Sequence, residues 1–341
     1  MTVLSLPSFF RGHHWGCVAL LVQGCARSLA IPLWASIQEG LGLLGDLSEE
    51  RGPKTTCIVK MAQQVASRMK TSAYLVLDAY FAVGPVFKTA AAQVNGVDNL
   101  VHILTRAKKN VVAYLPPPPT KEGQRGRPRT YGEKLYLLKL FDLWTDTFMT
   151  AQTCVYDRRE HVRFLTLDLV WKPIKCKPRF FLIETPRGRL ILMSSDLNLD
   201  PLLALELYRK RTTIETLFDT LKNILGGMGY HFWSKYLSPA SRRPLKERRL
   251  NQRSSRLPKT RNTFEAIEKF LNVYLVVLGT LQLLAITIPA EINAKALCWR
   301  RTVSSPTPSE FVTRTALTNV INNNLRILRN DVITQTIRSK Q

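Results

Sequence analysis

Tyr208, Arg211, Glu215 and Lys222 stand at a spacing that could do chemistry, within the stretch DPLLALELYRKRTTIETLFDTLKNILGG at residues 200–227. Read as one α-helix at ~100° per residue with Tyr208 at zero, Arg211 falls at ~300°, Glu215 at ~340° and Lys222 at ~320°. All four then share a face. Ile214, Leu217, Phe218 and Leu221 fall at ~180–280°, the side such a helix buries. Asp200 before Pro201 predicts the N-cap, and Gly226 with Gly227 predicts the end. An i,i+4 ion pair between Arg211 and Glu215 would explain two of the four residues, but not the tyrosine or the two-turn offset to Lys222. A carboxylate flanked by cations and a phenol can serve a hard metal ion on one side and phosphate oxygens on the other. A second carboxylate, Asp78, ends the short apolar strand AYLVLD.

The elements that must position these residues follow an α/β order. Residues 15–22 and 28–36 are apolar runs separated by QGCAR and read as two antiparallel strands. Thr55–Met69 has helical spacing, with Ile58, Met61, Val65 and Met69 as its stripe. The strand ending at Asp78, a helix of small residues at 87–94 and the strand at 100–106 follow. We expect 15–36, 73–78 and 100–107 to form one mixed sheet, packed by the helices that contain Glu215 and residues 266–286. The run PPPPTKEGQRGRPRTYGEK, from Pro116, marks a boundary. Beyond it VRFLTLDLVW, RFFLIET and GRLILMSS make 109–199 a linker and mostly β insertion. Residues 1–108 and 200–290 are then two parts of one core, with 291–341 a tail of unreadable role.

The charge balance, 49 Lys+Arg against 25 Asp+Glu for a net +24, calls for a polyanionic partner. Residues 235–261 hold ten Lys or Arg against Glu247 alone. A like-charge run of that density repels itself unless phosphates neutralise it, so we read it as a DNA-contacting loop carrying Arg242, Arg243, Lys246, Arg248 and Arg249. The six cysteines make no CxxC pair, and His13, His14, Cys17 and Cys25 lie in and beside an apolar strand where a buried thiol is the ordinary state. Residues 270–288 are long and apolar enough to span a bilayer. Asn272, Gly279 and Gln282 within them, and the helix-start residues Asn262, Thr263 and Glu265, favour a buried central helix and no membrane partner.

The pattern Y-(2)-R-(3)-E-(6)-K at Tyr208, Arg211, Glu215 and Lys222 resembles the signature of bacterial insertion-sequence transposases of the DDE superfamily. By element order the likeness covers roughly residues 13–290. It implies an RNase H-like fold interrupted by a β-rich insertion, and two-metal cleavage and joining of DNA at transposon ends. Asp78 and Glu215 would be catalytic ligands of two Mg²⁺ or Mn²⁺ ions, and Tyr208, Arg211 and Lys222 would hold phosphates. It also implies double-stranded DNA partners (transposon ends and target), a homodimeric synaptic complex and a bacterial cytoplasmic location at the nucleoid. One departure stands out. The family's first catalytic Asp precedes the hairpin, yet residues 1–14 contain no acidic residue, and Asp46, the only Asp before Asp78, follows the hairpin in a Gly-rich loop. From the sequence alone we therefore expect an N-terminally truncated, inactive copy, with a non-catalytic DNA-binding remnant as the alternative.

Overall fold

The computed structural model describes residues 14–24, 27–39, 54–97, 100–119, 128–155, 158–229, 257–296 and 306–327. Among these the strands are β1 (His14–Gln23), β2 (Ser28–Glu39), β3 (Ala73–Leu77), β4 (Val101–Arg106), β5 (Val112–Tyr114), β6 (Lys134–Tyr136), β7 (Met149–Val155), β8 (Arg158–Asp168), β9 (Arg179–Thr185) and β10 (Gly188–Ser194). The helices are α1 (Lys54–Met69), α2 (Gly84–Ala90), α3 (Leu137–Leu143), α4 (Pro201–Lys210), α5 (Thr213–Asp219), α6 (Leu257–Thr287), α7 (Pro289–Lys295) and α8 (Glu310–Ile327). The chain divides into two units, a sheet unit of residues 52–211 and a hairpin unit of residues 1–51 with 212–341.

In the hairpin unit β1 and β2 pair antiparallel, as the two apolar runs predict, but they form a two-stranded sheet of their own. The expected single sheet of 15–36 with 73–78 and 100–107 is therefore corrected. Side chains of α6 take up backbone groups of β2 where another strand would bond. Asn272 Oδ1 accepts from Ala35 N at 3.1 Å, its Nδ2 donates to Ala35 O at 2.8 Å, and Glu268 Oε1 accepts from Ile37 N at 2.6 Å. Leu271, Leu275 and Leu278 of α6 and Leu217 and Leu221 bury against Ala30 and Ala35.

Helix α6 is long and apolar enough to cross a membrane. The polar residues inside it nevertheless have partners within the unit: Asn272 on β2, and Gln282 donating to Glu310 Oε1 at 3.1 Å. It starts at Leu257 rather than near Asn262, because Pro258 suits a first helical turn. The end of the basic run, 257–261, is thus helix and not loop, and Arg261 Nε pairs with Glu265 Oε1 at 3.2 Å. Residues 242–256 lie outside the described residues, as do Arg242, Arg243, Lys246, Arg248 and Arg249. Part of the expected tail belongs to the hairpin unit: Arg27 Nη2 donates to Glu310 Oε2 at 3.0 Å and to Pro308 O at 3.1 Å. Desolvation pushes the Cys17 thiol up to about 12, so it stays protonated at neutral pH.

The sheet unit holds a mixed sheet flanked by helices, in order β3-β4-β10-β9-β8-β7. Only β3 and β4 run parallel, with Leu77 opposite Thr105, and the other pairs are antiparallel. Strands β7–β10, from the expected insertion, continue the sheet that β3 and β4 begin. On one face Leu104, Val162, Phe164, Phe181, Ile183 and Leu192 bury against Leu199, Ala204 and Leu205 at the start of α4. Phe180 and Leu182 point to the other face and are also fully buried, which explains the unalternating run RFFLI. Burial of each such side chain stabilises by roughly 1.5–3 kcal/mol. In α1 the apolar residues Cys57, Ile58, Val59, Met61, Ala62 and Ala66 are buried, whereas of the expected stripe Val65 is only partly buried and Met69 is half exposed at the helix end.

At the start of β3 and β4, Tyr74 stacks on His102 with ring centroids 5.5 Å apart and donates to Asp196 Oδ2 at 2.5 Å. Desolvation, and then the Asp196 carboxylate, push the Tyr74 phenol up to about 12 from an ordinary 10.0. The neutral phenol is the form the fold favours, so its contribution is complete below pH 10 and is lost as pH rises from 10 towards 12. Ultraviolet difference titration should show one tyrosine ionising near 12, and Asp196→Asn should bring that midpoint down. A parent and variant that titrate alike would refute the assignment.

Candidate functional site

The helix that carries the four signature residues is not continuous. Asp200 Oδ1 accepts from Leu202 N and Leu203 N, both at 2.9 Å, and starts α4 as expected. The helix breaks at Arg211–Thr212 and resumes as α5. Residues 220–224 then form a wider, π-type turn, with Leu225 N bonded to Thr220 O at 3.1 Å. Gly226, at φ +73°, ends it in the left-handed conformation that glycine tolerates. The expectation that all four residues share one face of a straight helix is therefore corrected. Tyr208 and Arg211 belong to the sheet unit, and Glu215 and Lys222 to the hairpin unit, where both are exposed.

Within the sheet unit the functional side chains gather at the carboxyl ends of the two parallel strands, the edge at which α/β sheets place ligands. Leu77 pairs with Thr105, so Asp78 and Arg106 are the next neighbours in register. Thr105 Oγ1 donates to Asp78 O at 2.6 Å, and Tyr80 N donates to Asp78 Oδ1 at 2.9 Å; these two bonds fix the backbone and one oxygen of the carboxylate. Tyr208, from the last turn of α4, is half-buried there. Its hydroxyl is hydrogen bonded to the Arg211 side chain and lies in the field of Arg106 and Asp78.

Desolvation raises the Tyr208 pKa, Asp78 adds to the rise, and the two arginines oppose it. The phenol is thus held protonated, a donor suited to a phosphate oxygen and a poor nucleophile. Two guanidiniums and a hydroxyl at one strand edge are donors of the kind that hold a phosphate. A cavity of about 330 Å³ elsewhere in the sheet unit, lined by Gly84, Lys108, Asn110 and Trp171 among others, includes none of Asp78, Arg106, Tyr208 and Arg211.

Sequence reasoning missed Arg106. The signal was present, because LVHILTR ends in Arg at the level where the neighbouring strand AYLVLD ends in Asp, but only parallel pairing brings the two ends together. Among the described residues no three His, Cys, Asp or Glu side chains lie together as a metal-holding group. Of His13, His14, Cys17 and Cys25, only His14 and Cys17 fall within the described residues. Comparison with known protein families and with curated proteins finds no match to this chain.

Proposed function

We propose that this protein binds double-stranded DNA as a DDE-transposase-type protein with an RNase H-like core, holding a backbone phosphate at Arg106, Tyr208 and Arg211 beside Asp78. The observation that carries the reading is the meeting of these four side chains at the ends of β3 and β4. The net charge of +24 supports it. Lys222 and the basic residues Arg242, Arg243, Lys246, Arg248 and Arg249 belong to the same reading as further phosphate contacts. Divalent ions at Asp78 and Glu215, DNA cleavage and joining, and a homodimer at paired transposon ends enter through the signature alone.

Binding and cutting separate in one experiment. With chelator present, Asp78→Asn removes a negative charge beside the phosphate, worth about 1 kcal/mol or about fivefold tighter binding. With Mg²⁺ and supercoiled DNA, nicking that disappears in both Asp78→Asn and Glu215→Gln would establish catalysis. Nicking by neither parent nor variants leaves a binding protein. Parent binding that ignores salt, or an Asp78→Asn variant that binds no tighter in chelator, would defeat the reading.

A further inference from the structure

We infer that the small β5–β6 sheet and the two turns beside it form a lysine track that holds the duplex backbone without reading its sequence, a role that rests on the DNA-binding function proposed above. The track begins beside the phosphate site. Lys108 is two residues past Arg106, so at most ~7 Å of backbone separates them. Main-chain bonds tie the pieces together. Val111 N donates to Lys108 O at 3.0 Å, β5 pairs with β6 so that Tyr114 lies opposite Lys134, and Tyr114 N donates to Val170 O at 2.9 Å. The turn WKPIKCK, 171–177, follows Val170 and is closed by the bridge of Trp171 with Cys176. Both turns line the cavity of about 330 Å³, the first with Lys108 and Asn110 and the second with Trp171 and Pro173, so they are neighbours in space.

The charge of these elements is one-sided. The stretches KKNV, VAY, KLY, LLKLFDL and WKPIKCK hold seven lysines, no arginine and one acid, Asp142, which Arg189 already neutralises at 2.7 Å. Glu133, just before β6, is the one further acid beside them in the chain. All seven lysines are exposed, and among the described residues none has a carboxylate partner. Two of them crowd one exposed phenol: Lys134 Nζ and Lys139 Nζ lie 4.6 and 5.3 Å from the centroid of the Tyr136 ring. A hydrogen bond from Lys134, and then its charge, hold the Tyr136 pKa down, which makes the hydroxyl a better donor to an anion. Ammoniums held this close repel each other unless an anion neutralises them. Lysine grips phosphate as a point charge, whereas base edges are read chiefly by the two-pronged Arg, Asn and Gln. It is also depleted at protein interfaces, while duplex DNA offers one charge per ~1.7 Å of its axis. A surface whose cations are all lysines therefore fits duplex phosphates of any sequence.

The test uses the full chain and two duplexes of equal length and unrelated sequence. Replacing Lys108, Lys109, Lys134 and Lys139 together by Gln should lower the slope of log K against log salt by about 3.6, at about 0.9 per phosphate contact. Kd should rise about tenfold or more, by the same factor on both duplexes. Arginine at the same four positions should restore the slope, because the charge is kept. Bound DNA should slow acetylation of Lys134 and Lys139 by an N-hydroxysuccinimide ester, read by mass spectrometry, and leave unchanged that of the exposed Lys70, which precedes β3 at the end away from Asp78. A glutamine variant with the parental slope, a loss confined to one duplex, or labelling of Lys134 and Lys139 that ignores DNA would overturn the inference. So would a glutamine variant that keeps its DNA affinity and loses binding to phosphatidylserine vesicles, which would assign the lysines to a lipid surface. Arg106→Ala with Arg211→Ala separates the two readings. If that variant loses slope while the glutamine variant keeps it, the track alone fails. If the parent shows no salt-dependent DNA binding, the function proposed above fails and the track with it.

Discussion

An Arg106→Ala, Arg211→Ala variant should bind duplex DNA about a hundredfold more weakly than the parent. Each guanidinium lies at the carboxyl end of the parallel pair, within the field of the Tyr208 hydroxyl. A charge-assisted hydrogen bond to phosphate contributes roughly 1.5–3 kcal/mol. Both side chains are partly exposed, so the lower end applies, and two contacts sum to about 3 kcal/mol. The slope of log K on log salt should fall by about 1.8, since each phosphate contact contributes about 0.9. Lysine at both positions should restore that slope but not the full affinity, because an ammonium keeps the charge and loses the two-pronged geometry. Tyr208→Phe should weaken binding only a few-fold, with the slope intact, as expected for loss of one neutral donor. A double alanine variant with native circular dichroism and an unchanged slope would remove the strand edge from the binding surface.

The elements around this site were legible because their signals are local. Asp200 before Pro201 caps α4 as expected, the hairpin strands follow two apolar runs, and AYLVL and VHILTR are strands where the apolar stretches place them. What failed was non-local. The break at Arg211–Thr212 falls in a run, YRKRTTIE, in which each residue is compatible with helix and only modest propensity losses at Tyr208, Thr212, Thr213 and Ile214 weaken it. Pairing partners were equally hidden. Leu192 of β10 can align with Arg106 of β4 across 86 residues of sequence only through a register that no short pattern encodes. Asn272 was legible as a polar break in an apolar helix. Its use of both backbone groups of Ala35 was not, because that depends on where β2 lies. The same limit hid Arg106, whose role exists only beside Asp78.

Residues 306–327 belong to a tail whose role the sequence leaves unreadable, yet Glu310→Ala should destabilise the hairpin unit by about 3 kcal/mol. Glu310 is 4% exposed. Its Oε2 takes the Arg27 guanidinium from the turn between β1 and β2 at 3.0 Å, and its Oε1 takes the Gln282 amide from α6 at 3.1 Å. Alanine leaves a partly buried guanidinium and a buried amide without that acceptor, and breaking one side of a buried pair costs more than the pair contributes. Glu310→Gln should cost less, about 1 kcal/mol, for a reason visible at Gln282. The Gln282 Oε1 is buried with no hydrogen-bond partner, and a glutamine at 310 brings an N–H within reach of it while keeping an oxygen for Arg27. Replacing both ends of the pair, Arg27→Met with Glu310→Leu, should recover most of the loss, because desolvation of the two charges then no longer opposes folding. Urea unfolding separates these cases, with the midpoint moving and the slope m constant if only stability has changed. DNA affinity of all three variants at a temperature well below their midpoints should match the parent, since the hairpin unit is folded there and neither Arg27 nor Glu310 is among the proposed phosphate contacts. A Glu310→Ala midpoint within error of the parent would mean that this triad is solvated, and that α8 is held by its other contacts, among them Val312 and Ala316 in the core and Asn319 donating to Lys295 O.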